Sequence, residues 1–135
     1  MTYLVAYVAA AIVFLGFDSL WLGLVARRWY RVWMGGLMLE RPNFSAAAVF
    51  YLFYLAGLVY FAIAPALSAG GGWIEAAGSG ALFGLIAYGT YDMTNLATVR
   101  GWSVTMCVVD MTWGSVLSGL SAACGYLAAA ALATH

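Results

Sequence analysis

Residues 86–114 read IAYGTYDMTNLATVRGWSVTMCVVDMTWG, two apolar runs meeting at Arg100-Gly101, with Asp92 and Asp110 at equal distances on either side of Gly101. The glycine and the charge mark a turn, and the runs extend well beyond this window in both directions. Folded back as a helical hairpin, they bring the two aspartates to one level, about 10 Å in from the ends of the two runs at 1.5 Å per residue. The reading of the whole chain grows from that hairpin.

A bilayer core of about 30 Å needs roughly 20 apolar residues per helix. Four stretches qualify, near 3–25, 45–67, 76–97 and 104–132, and they predict an all-α, integral membrane four-helix bundle in one domain covering 1–135. Of the 135 residues 66% are hydrophobic and 7% charged, a balance that excludes an ordinary soluble or disordered chain. Five arginines offset five acids, Lys is absent and the one His is His135, so no basic surface exists for nucleic acid. Cys107 and Cys124 have neither a CxxC spacing nor histidines beside them and read as small packing residues. The N-terminal run lacks a basic start and a cleavage signal, and is expected to remain as the first span.

Arg27, Arg28, Arg31 and Arg41 fall in the first connection, Arg100 in the third, and none in the second. The positive-inside rule therefore places loops 1 and 3 in the cytoplasm and both termini outside. Trp29, Trp33 and Trp102 then lie at the inner interface and Trp73 at the outer one, where an apolar ring with an N–H donor is favoured. The first connection reads either as a short interfacial helix before Pro42 opens the second span, or as an irregular loop broken at Gly35-Gly36.

Asp18, Asp92 and Asp110 lie inside the expected spans. Each central intramembrane aspartate costs on the order of 3 kcal/mol, so something must offset the burden. Asp18 sits seven residues before the end of the first span, in the same inner layer as the other two. Asp18-Ser19-Leu20-Trp21, Asp92-Met93-Thr94-Asn95 and Asp110-Met111-Thr112-Trp113 each place a bulky hydrogen-bonding side chain three residues after the acid, on one helix face. Gly80, Gly84, Tyr88, Asp92 and Asn95 make one stripe, and Ser103, Cys107, Asp110, Gly114, Ser118, Ser121 and Gly125 another. These small or polar faces are expected to touch.

The predicted site is a polar cavity toward the cytoplasmic leaflet, formed by Asp18, Asp92, Asn95 and Asp110 with Trp21, Tyr88, Tyr91, Thr94, Thr98 and Trp113. Such a cavity suits binding or transport of a cation, a proton or a lipid headgroup. A bound divalent cation would be Mg²⁺ or Ca²⁺, since Asp18, Asp92 and Asp110 offer hard oxygen ligands. A lipid-modifying enzyme with an Asp acid/base pair is an alternative, although no nucleophile or phosphate loop accompanies the acids. The other alternative is a non-catalytic accessory subunit of a larger membrane complex. The expected partners are the lipid bilayer, and a homo-oligomer or such a complex. Tyr51, Tyr54 and Tyr60 read as ordinary membrane aromatics.

At these residues the chain resembles a bacterial family of small four-span membrane proteins, domain of unknown function 2177. The resemblance is carried by Phe17-Asp18 with Trp21-Leu22-Gly23, Arg41-Pro42-Asn43, the run FYLFYLAGLVY at 50–60, YDMTNLAT at 91–98, Gly101-Trp102, and Val109-Asp110 with Trp113-Gly114. Arg41 and Arg100 stand where relatives often carry Lys, which preserves the charge. The resemblance implies a four-span membrane protein; it supplies no activity and no catalytic residue.

Overall fold

The computed structural model describes residues 1–37 and 43–133, with the backbone alone for 25–27 and 37. The beginning expected of the second span at Pro42, the charges of Glu40 and Arg41, and His135 lie outside the described residues. Every described element is helical. In chain order these are α1 (Thr2–Leu20), a π-helical segment (Trp21–Ala26), α2 (Arg27–Met34), a 3₁₀ turn (Gly35–Leu37), α3 (Phe44–Leu58), a second π-helical segment (Val59–Ile63), α4 (Ala64–Ala69), α5 (Gly72–Thr98) and α6 (Val104–Ala133).

Local chemistry sets the ends. Asn43 caps α3 by accepting the Ala46 N–H at 3.1 Å. Pro65 cannot donate to the preceding turn and crowds its carbonyl, and the helix widens into the π form just before it. Gly70 ends α4 at φ 67°, and Gly101 turns the chain between α5 and α6 at φ 76°. Ser103 then starts α6, its hydroxyl accepting the Met106 N–H at 3.1 Å and its carbonyl the Cys107 N–H at 3.2 Å.

Three helices are long and apolar enough to cross a membrane: Thr2–Leu24, Phe44–Ala69 and Val104–Ala133. The third stretch expected to span is not among them. Its helix α5 has 27 residues, about 40 Å of rise, but Gly, Ser, Thr, Tyr, Asn and Asp dilute its apolar character. α5 instead lies antiparallel along α6. A Cβ added at Gly80 would come within 2.6 Å of Ala122 Cβ and 2.8 Å of the Ser118 carbonyl, so the backbones approach as closely as the small-residue stripes predict. Gly125 departs from that expectation: it faces α1 and Ile63, with Ala6 and Ala10 as its neighbours.

The apolar core joins α1, α3, the second π segment and α6. Ala6, Ala10, Phe14 and Asp18 form the buried stripe of α1, one residue per turn, and Phe14 is fully buried against the rings of Tyr51 and Tyr54. The stripe ends on a carboxylate. A second cluster joins Tyr30 of α2 and Met106 of α6 to Trp21, Trp33, Met34 and Trp102, pinning α2 against the α5–α6 turn.

Candidate carboxylate site

Asp18, at the end of the buried stripe, is 6% exposed and accepts two hydrogen bonds. The Tyr51 hydroxyl donates to Oδ2 at 2.9 Å, and the Trp113 indole donates to Oδ1 at 3.2 Å. On α6, Asp110 Oδ1 accepts from the Tyr30 hydroxyl at 2.9 Å, and the same hydroxyl accepts the Trp21 indole N–H at 3.2 Å. Trp21 and Trp113 stack between the two branches, with centroids 4.5 Å apart and planes inclined by 11°. The Asp-x-x-Trp segments of α1 and α6 thus meet head to tail, each tryptophan turned toward the other helix's acid. Burial, and then the Asp110 carboxylate, push the Tyr30 phenol above its ordinary range, which keeps it an O–H donor.

Asp92 differs from both. It is fully buried, neither carboxylate oxygen has a hydrogen-bond partner among the described residues, and its carboxyl faces that of Asp110. Two ionised carboxylates repel and neither can donate to the other. Beneath the pair, the Cys107 thiol donates to the Asp92 carbonyl at 3.4 Å.

The remaining expected site residues divide. Tyr88 covers Gly114 with its ring, and Trp21 and Trp113 are central. Asn95 is half-buried, and its backbone carbonyl accepts the Val99 N–H at 2.7 Å. Thr94, Thr98 and Tyr91 are exposed. The Thr94 hydroxyl returns to the carbonyls of Thr90 and Tyr91, Thr98 bonds the Thr94 carbonyl at 2.8 Å, and Tyr91 rests edge-on against Trp102. Asp18, Asp92 and Asp110, expected as one ligand set, lie in two arrangements. Asp110 is within electrostatic reach of both others, but among the described residues no three His, Cys, Asp or Glu side chains group closely enough to hold a metal ion. Asp18 already has one donor on each oxygen, an O–H on Oδ2 and an N–H on Oδ1.

A family model described as a predicted membrane protein (DUF2177) matches residues 3–127. The chain belongs to this family. No curated protein and no solved structure gives a significant match. This DUF2177 protein is therefore a membrane protein whose chemistry must be read from its own side chains.

Two of those side chains escaped the sequence reading. Tyr51 donates to Asp18, and Tyr30 caps Asp110 from the first connection. Tyr51 lies seven residues into α3, about 10 Å along the helix, the depth already reckoned for the acids, so counting depth on α3 would have flagged it. Tyr30 gave no comparable signal, because it lies in the first connection, outside any span along which depth can be counted.

Proposed function

We propose that this protein crosses the bacterial inner membrane four times, α5 included, with both termini outside, and that the Asp92–Asp110 pair binds a proton within the inner half of the bilayer. The four-span reading is supported by the length of α5 and its antiparallel seat on α6, where Gly80 and Gly84 let the two backbones approach closely. Orientation follows from the arginines of the first and third connections.

One observation carries the proton site: a fully buried Asp92 carboxyl, without a donor, facing a second carboxyl. In a low-dielectric layer such a pair is stable only with a positive charge between its oxygens. A proton satisfies two oxygens by itself. A metal ion needs several more ligands, and among the described residues no third His, Cys, Asp or Glu groups with the pair. A proton held in this way is the elementary requirement of a proton carrier or relay.

Infrared difference spectroscopy on the reconstituted full chain tests the proposal. The wild type should show the carbonyl stretch of a protonated carboxylic acid, responsive to pH, and Asp92→Asn or Asp110→Asn should abolish it. A wild type with no protonated-acid band across the accessible pH range removes the basis of the proposal.

A further inference from the structure

Helix α2 has two unlike faces. Tyr30, Trp33 and Met34 point into the molecule, whereas Arg28, Trp29, Arg31 and Val32 are exposed, Val32 by 76% and Trp29 by 46%. The spanning stretch ends at Leu24, so the two arginines begin within about two turns of it, the depth of the headgroup layer. Arg100, on the turn against which α2 packs, is also exposed at this end. None of the three has an acidic partner among the described residues. Alternating apolar and cationic side chains at headgroup depth fit an anionic bilayer surface; an acidic protein segment would not require the exposed Trp29 and Val32.

The inward face of the same short helix carries the cap of the carboxyl pair. Tyr30 is 9% exposed, donates to Asp110 at 2.9 Å, and stands between Asp110 and the Trp21 indole. A helix of eight residues moves as a unit, so what holds its outer face holds Tyr30 in place. We propose that anionic phospholipid headgroups bind Arg28 and Arg31, with Arg100 beside them, and thereby seat α2 as a cover that keeps Tyr30 on Asp110. The proposal rests on the proton-site reading above and adds its regulation: loss of anionic lipid releases the cover and opens the pair to the aqueous side.

The test uses the full chain in vesicles of phosphatidylcholine alone or mixed three to one with phosphatidylglycerol. The rate at which a hydrophobic carbodiimide modifies Asp110 is read by peptide mass spectrometry. Phosphatidylglycerol should slow the modification on the order of tenfold, given the attraction of two arginines to an anionic surface. The double variant Arg28→Gln/Arg31→Gln should lose that protection, and Tyr30→Phe should be modified rapidly in both lipids. Equal wild-type rates in the two vesicles overturn the proposal, as does full protection in the arginine variant. The infrared band of the protonated pair, recorded on the same samples, separates the two readings. A band without lipid dependence defeats the cover alone, and lipid-dependent modification without a band defeats the proton site while leaving the cover standing.

Discussion

Trp21 and Trp113 stack at 4.5 Å, and each indole N–H is directed toward the opposite helix: Trp113 to Asp18 directly, Trp21 to Asp110 through the Tyr30 hydroxyl. Antiparallel packing of two Asp-x-x-Trp segments produces this near-symmetry, since each acid falls level with the other segment's tryptophan. The departure from symmetry is Tyr30, a third party inserted into one branch. A hydrogen bond to a carboxylate is worth about 1.5–3 kcal/mol and one between neutral groups about 0.5–1.5 kcal/mol. Trp113→Phe should therefore destabilise the protein by about 1.5–3 kcal/mol and Trp21→Phe by about 0.5–1.5 kcal/mol. Detergent-induced unfolding followed by circular dichroism measures both, and equal losses would mean that the two branches are alike.

The α5–α6 seam predicts a contrast among glycines. A methyl at Gly84 lands on the Gly114 carbonyl and the Ser118 side chain, whereas a methyl at Gly78 meets nothing within 4 Å. Gly84→Ala should cost about 1–3 kcal/mol through overpacking, and Gly78→Ala should be neutral or stabilising by about 1 kcal/mol as a better helix former. Thermal unfolding in a single detergent compares them directly.

The buried acids should respond in opposite ways to loss of charge. Asp18 satisfies two donors, so Asp18→Asn turns an N–H₂ group against Tyr51 or Trp113 and should cost about 1–3 kcal/mol. Asp92 satisfies none, and Asp92→Asn removes one of two facing carboxyls at nearly constant volume, for a change within about 1 kcal/mol or a net gain. Unfolding free energies of the two variants, measured side by side, decide the matter. A larger loss for Asp92→Asn would point to a donor that holds its carboxylate.

How much of this was legible in the sequence depends on whether a helix advertises its inner face. The stripes of α5 and α6 did, because glycine and serine mark close approach, and Gly80 and Gly84 meet α6 as expected. α3 did not: FSAAAVFYLFYLAGL is apolar all round, so no periodicity tells Tyr51, directed at Asp18, from Phe53, which is 75% exposed. Thr94 shows a different failure. Two residues beyond Asp92 on a helix, it must face nearly the opposite way, and it heads outward with Thr90 and Thr98, each hydroxyl returned to its own helix.

Tyr30 gives the last prediction a definite sign. Its phenol is raised in the folded protein above the ordinary value of 10.0, by burial and then by the Asp110 carboxylate. The folded state thus holds this proton more tightly than the unfolded chain does, and the resulting stability is complete below the ordinary phenol value. As the pH rises past 10.0, the unfolded chain ionises while the folded one resists, and the contribution drains away until the raised value is reached. Phenylalanine at this position has no proton to lose. The stability difference between the wild type and Tyr30→Phe should therefore be flat through neutral pH and shrink on the alkaline side. Unfolding titrations of both proteins across that range measure it, and a difference that grows with alkalinity would mean that Tyr30 is ionised in the folded protein and does not donate to Asp110.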